Sequence, residues 1–210
     1  MHIARFLPLF ACLLATPGQA QTVSSSADAE SDWSYSAALY FYALPDDDNY
    51  VQPAFSADRG TLHLEARYNY EDLNTSSIWA GYNMSVGETV QIGFTPMLGA
   101  VFGNTRGVAP GYRLSVDWKQ LEFYTEGEYV FSYDGREDSF FYSWSELAIV
   151  PLDWLRAGIV AQRTRAYQTE RDVQPGLLLG IAASRFMLTG YVFNPDKDDA
   201  VYVISIGVDF

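Results

Sequence analysis

The side chains with the widest chemical repertoire are few. Histidine occurs at His2 and His63, and cysteine only at Cys12. His63 stands in His63-Leu64-Glu65, shortly after Ser56 and Asp58. Counting through an Arg59-Gly60 turn puts Ser56 opposite His63 with Asp58 adjacent, and an imidazole next to a hydroxyl could serve as base and nucleophile. The simpler reading is one histidine in a polar network, and no catalytic residue is assigned. Asp117 and Glu122 form a carboxylate pair across the Lys119-Gln120 turn. Two acidic clusters, Asp46, Asp47 and Asp48, and Asp196, Asp198 and Asp199, offer oxygens that suit Ca²⁺ or Mg²⁺. Solvated loops explain those clusters equally well, so no cofactor is expected beyond such a loop-bound ion. The chain carries neither an H-E-x-x-H helix nor a phosphate-binding loop.

What must position these groups follows from charge and pattern. Asp and Glu number 26 against 13 Lys and Arg in 210 residues, a formal net charge of −13. A nucleic-acid partner, which needs a basic face, is thereby excluded. Met1–Arg5 is short and basic, and Phe6–Ala15 is apolar. Gly18-Gln19-Ala20 then offers a small-residue cleavage site. The expectation is an export signal over 1–20, too short in its apolar part to span a membrane, where about 20 residues are needed. Cys12 leaves with it, so the mature chain has no disulfide and no thiolate site. Residues 21–32 are small and polar and read as a flexible leader.

After residue 32 the pattern has period two. Leu62, Leu64, Ala66, Tyr68 and Tyr70 alternate with His63, Glu65, Arg67, Asn69 and Glu71. Twelve strands are expected near 33–44, 51–58, 61–71, 76–86, 90–102, 109–118, 121–132, 140–150, 154–166, 173–183, 186–193 and 200–210, with ten as the competing count. Short and longer connections alternate. The polar face carries His63, Glu65, Arg67, Arg113, Asp117, Glu122, Glu126, Glu128, Glu146 and Arg156. The apolar face ends in aromatics, among them Trp33, Tyr70, Tyr82, Trp118, Phe123, Tyr129, Phe131 and Phe210. An apolar outer band with aromatic rims and a polar interior predicts an all-β, closed antiparallel transmembrane β-barrel over 33–210. Closure also removes exposed strand edges. Gln52-Pro53, Ala109-Pro110 and Gln174-Pro175 open every fourth strand, which fits either strand-start prolines or a triplicated unit.

The final run Tyr202-Val-Ile-Ser-Ile-Gly-Val-Asp-Phe210 resembles the C-terminal strand of bacterial outer-membrane β-barrel proteins. The resemblance covers architecture and identifies no functional subfamily. It implies the outer membrane of a Gram-negative bacterium, with both termini and the short turns periplasmic and the longer loops extracellular. It also implies Tyr202 and Phe210 as the assembly signal read by the barrel-assembly machinery, with periplasmic chaperones and outer-membrane lipids as partners. Arg163 and Arg165 lie near the extracellular end of their strand, facing outward, where lipopolysaccharide phosphate is within reach.

Inside such a barrel the turn at Lys119-Gln120 sets Asp117 opposite Glu122, Ser115 opposite Tyr124 and Arg113 opposite Glu126. Trp79, Tyr124, Tyr142 and Trp144 also point inward. The surplus of inward acids predicts a narrow, cation-leaning channel for small solutes. A barrel closed by salt bridges and aromatics is the alternative, and a lipid-modifying enzyme is a third. The last lacks the His-x-Ser pair of known outer-membrane lipid hydrolases.

Overall fold

The computed structural model describes residues 32–45, 47–136, 138–166 and 172–210. The expected export signal, most of the leader and Asp46 lie outside them. The strands are β1 (Ser34–Ala43), β2 (Tyr50–Arg59), β3 (Leu62–Tyr68), β4 (Thr75–Tyr82), β5 (Met84–Val86), β6 (Val90–Gly103) and β7 (Gly107–Trp118). They continue with β8 (Leu121–Ser132), β9 (Phe140–Leu152), β10 (Leu155–Ala166), β11 (Asp172–Ala183), β12 (Phe186–Phe193) and β13 (Val201–Asp209). Successive strands pair antiparallel, β13 pairs with β1, and β4 pairs with β6, so the sheet closes on itself. β4 and β5 share one register against β6, with Gly81 opposite Met97 and Met84 opposite Phe94. They are two halves of one stave interrupted at Asn83. The molecule is therefore a closed barrel of twelve staves, as the alternation predicts.

The two faces separate cleanly. Along β13, Val203, Ser205 and Gly207 are buried in the lumen, while Tyr202, Ile204 and Ile206 are exposed on the outer wall. Leu39, Phe55, Ile78, Leu98, Leu147, Ile159 and Leu179 continue that exposed apolar belt around the barrel. So much bare apolar surface is stable only against lipid. Trp33, Tyr35, Tyr82, Trp118, Trp154 and Phe210 form its rim at the short-turn end. The prolines of the recurring dipeptide, Pro53, Pro110 and Pro175, each occupy the fourth residue of their strands β2, β7 and β11.

Two expectations are corrected. Arg59 pairs with Leu62, so the β2–β3 turn is Gly60-Thr61 rather than Arg59-Gly60, with Gly60 at φ 58°. The register shifts by two residues: Asp58 stands opposite His63, and Ser56 stands opposite Glu65. Tyr70 is not on the outer face. Asn69 adopts φ 57°, a left-handed conformation that asparagine tolerates better than most residues. That single residue breaks the two-residue period and turns Tyr70 into the lumen. Asn69 is held there by its N–H donating to the Thr75 carbonyl at 2.8 Å, while its side-chain oxygen accepts from the Asn74 N–H at 2.8 Å.

Candidate functional site

The lumen has two sides. On one, β3 supplies His63, Glu65 and Arg67 at alternate positions, so all three point inward and are buried. β7 adds Arg113, and β8 adds Glu126 and Glu128, also buried. On the other side, Tyr42, Tyr124, Trp144, Tyr191 and Phe193 form a packed aromatic cluster. The Trp144 ring lies 5.2 Å from Tyr191, 5.3 Å from Phe193 and 6.4 Å from Tyr40 on β1.

Arg67 is the centre of the charged side. Its guanidinium donates to Glu65 at 3.0 Å and Glu128 at 2.9 Å, and lies 4.0 Å from both Glu71 and Glu126. It also lies over the rings of Tyr70, at 4.1 Å, and Trp79, at 4.7 Å. Trp79 is fixed in turn by its indole N–H donating to Ser77 Oγ at 2.9 Å. Arg113 donates to Glu65 and, at 3.0 Å, to His63 Nε2. Its Nε lies 3.5 Å from Glu126. Glu126 also accepts from the Tyr70 hydroxyl and, at 2.7 Å, from the Tyr124 hydroxyl.

A second node joins Arg156 to Glu146 at 2.8 Å and to Glu122 at 3.6 Å. The Trp144 indole N–H donates to the same Glu146 at 2.9 Å. Every residue of the expected lumen network is thus inward and at least partly buried, including Asp117. The register of Asp117 with Glu122 and of Arg113 with Glu126 is as expected. The Arg113–Glu126 pair forms, at 3.5 Å, and further partners join it. Arg113 bonds across the lumen to β3, and Glu122 faces Arg156.

Among the described residues His63 is held by an acid and a guanidinium. Its Nδ1 lies 2.7 Å from Asp58, and its Nε2 receives the Arg113 N–H. Nδ1 is placed to donate to Asp58, and Nε2 lies between the Arg113 guanidinium and the Glu65 carboxylate, 3.6 Å away. Ser56, the expected hydroxyl partner, bonds Ser36 at 2.6 Å instead. Asp58 also accepts from Asn83 at 2.6 Å, and Asn83 accepts from Thr95 at 2.7 Å. The break in the β4–β5 stave therefore belongs to this network.

Tyr70 and Glu71 lie outside the lumen network read in the sequence, and Asp58 enters that reading only as the neighbour of Ser56 and His63. The turn register hid Asp58 and the left-handed Asn69 hid Tyr70. Glu71 was read only as a polar-face residue, because nothing in the alternation marks it as buried. Burial pushes the Glu71 carboxyl above the usual carboxylate range, against the opposing pull of Arg67 and the hydroxyl of Ser77.

The space in the lumen narrows sharply. Toward the long-loop end a vestibule of about 260 Å³ opens between Tyr42, Tyr50, Glu71, Tyr142 and the amides of Gln162 and Gln174. At the waist, between Tyr40, Glu65, Tyr124, Glu126, Trp144 and Arg156, the cavity falls to about 30 Å³. That is room for one or two waters.

Outside the lumen, Asp47, Asp48, Asp196, Asp198 and Asp199 are exposed, and Asp46 lies outside the described residues. Among the described residues no group of three or more His, Cys, Asp or Glu side chains could hold a metal ion. Arg163 lies over the Phe141 ring at 5.4 Å, and the side chain of Arg165 lies outside the described residues. Tyr202 and Phe210 stand on the outer wall. The Phe210 N–H donates to the Tyr35 carbonyl at 2.9 Å, and the Tyr35 N–H returns a bond of 2.8 Å.

A closed twelve-stave barrel with an apolar exterior and a charged lumen defines a transmembrane β-barrel. No family model and no curated protein matches the chain. Among solved structures it is similar to the KdgM porin, with TM-score 0.64 and 13% identity over 83% of this chain and 99% of that one. It is similar also to the KdgM porin in complex with disordered oligogalacturonate, with TM-score 0.62, 12% identity and the same coverage. The fold is that of these porins.

Proposed function

We propose that the protein is an outer-membrane channel with a constricted, cation-leaning lumen for small solutes, exported through a signal cleaved after Ala20. The supporting observation is the lumenal charge balance. Among the described residues, six buried carboxylates (Asp58, Glu65, Glu71, Glu126, Glu128 and Glu146) face three buried guanidiniums and His63. Walls of low polarity focus that surplus into a negative potential, which draws cations and repels anions. The solved neighbour carries oligogalacturonate, a polymer of carboxylates. The acid surplus here makes such a polyanion a poor guest and favours cationic and neutral solutes.

The narrow waist supports a second reading, a barrel whose lumen is closed by its own side chains. Bilayer recordings separate the two: discrete steps with a cation-selective reversal potential support the channel, and silent insertion supports the closed barrel. In either case the longer loops face outward from the cell. Tyr202 and Phe210 serve assembly, and Arg163 and Arg165 meet lipopolysaccharide phosphate at the outer leaflet.

A further inference from the structure

The lipid-facing wall is interrupted by one polar patch. Among the described residues, outward hydroxyl and charged side chains away from the strand ends fall on β7 to β10, at Tyr112, Thr125, Ser143, Ser145 and Arg163. On the other strands they are confined to the ends, as at Ser76 and Arg59. The ladder brings the five together. Tyr112 pairs with Gly127, Gly127 with Ser143 and Ser143 with Arg163, while Thr125 pairs with Ser145 in the row below. A Cβ on Gly127 would meet the Tyr112 hydroxyl oxygen at 3.0 Å, so bare backbone lets that ring lie across β8 toward the strand of Ser143. Ser145 bonds Thr125 at 2.9 Å, and Thr125 donates to the Trp144 carbonyl at 3.0 Å, which satisfies this pair against lipid. Arg163 differs. Its guanidinium lies over the Phe141 ring at 5.4 Å, and its Nε is buried without an acceptor among the described residues. The outward positions of β6 to β11 hold no carboxylate, so a second copy presenting this face would bring no counter-charge. Arg163 stands eight residues on from Leu155, which opens β10 at the short-turn end. At about 3.3 Å per residue and a tilt of about 40°, that is roughly 20 Å up an apolar band about 25 Å tall. The cation therefore sits near the upper edge of the band, where lipid headgroups begin.

We propose that this patch seats one phosphorylated glycolipid of the outer leaflet, its phosphate on Arg163 and its sugar against the hydroxyls of Ser143 and Tyr112. A guanidinium matches phosphate oxygens in a two-pronged geometry, and the idle Nε gains an acceptor. Arg163 alone would suit any anionic lipid. The hydroxyls beside it select a headgroup that itself carries hydroxyls, since an acyl chain gains nothing from them. The inference rests on the proposed outward direction of the longer loops. It narrows the proposed lipopolysaccharide contact to Arg163 and the wall next to it.

Native mass spectrometry of the detergent-folded barrel, titrated with defined lipids, tests it without requiring conductance. The probes are bisphosphorylated lipid A, its fully dephosphorylated form and phosphatidylglycerol. The expected result is a single bound lipid A, held about tenfold or more above either other lipid. Arg163→Gln weakens it by about tenfold or more, and Ser143→Val by about threefold. Each variant is first shown to keep the heat-modifiable mobility of the folded barrel. Ser143 is half-buried on the wall, and valine suits a strand, so this variant keeps the test open if Arg163→Gln does not fold. Equal retention of phosphatidylglycerol, or lipid A binding untouched in folded Arg163→Gln, overturns the proposal. So does a dimer that Arg163→Gln turns into monomers, which would make the patch a contact between copies. Binding lost in Arg165→Gln and kept in Arg163→Gln overturns the patch while upholding the outer-leaflet contact. No lipid A binding by the unaltered barrel overturns both.

Discussion

Arg67 lies within 4.0 Å of Glu65, Glu71, Glu126 and Glu128 while resting on two aromatic rings. Replacing it with Met keeps the apolar stem and removes the charge that Glu71 and Glu128 face, leaving Glu65 and Glu126 to Arg113. Breaking a buried pair in this way costs about 3–5 kcal/mol where water is excluded. Arg67→Met should therefore lower the melting temperature clearly, and should raise both conductance and cation preference in bilayers if the waist widens. A melting curve and a recording on one preparation check both. Glu126→Gln is the complementary test. It removes a charge next to Arg113 and leaves one acceptor oxygen where the Tyr70 and Tyr124 hydroxyls use two. A sealed waist predicts a clear loss of thermal stability. A wet one predicts a small loss, since screened pairs are worth about 0–1 kcal/mol, with selectivity shifted toward neutrality. At this scale the sequence was informative about which side chains face inward, because the two-residue turn at Lys119-Gln120 fixes Arg113 against Glu126. It was silent about where the long guanidinium goes, since an acid surplus offers Arg113 several partners and register names only the nearest.

Strand β6 shows how an element makes room for the site. A Cβ on Gly99 would meet the Trp79 indole at 2.6 Å, and one on Gly111 would meet the same ring at 3.0 Å. The indole lies across bare backbone on β6 and β7, which lets so large a ring sit inside the barrel and support Arg67. Gly99→Ala must displace a rigid ring system. It should cost about 1–3 kcal/mol by overpacking and loosen the Arg67 stack, read as a lower melting temperature and an altered tryptophan emission. Alternating polarity made nearly all strand boundaries legible, because a wall between lipid and a charged lumen forces period two. It failed where one residue leaves extended geometry. Asn69 ends β3 early and redirects Tyr70, and the Gly60-Thr61 turn resets His63 against Asp58. Both depend on turn geometry that side-chain polarity does not encode.

The whole molecule depends on the seam between β1 and β13, where the last residue still contributes. Phe210 exchanges two backbone bonds with Tyr35 and stacks on its ring at 5.9 Å. Deleting Phe210 should sharply reduce heat-modifiable barrel in membrane fractions, measured by semi-native electrophoresis. Unchanged levels would show that neither the seam nor an assembly signal needs it. The wall, the closure and the inward acids then lead to one functional claim, that the lumen passes cations in preference to anions. The most direct test is the reversal potential of the purified barrel in a planar bilayer under a potassium chloride gradient. The account predicts small unitary currents reversing on the potassium side of zero. A reversal on the chloride side, or inserted barrels that pass no current at all, would contradict it.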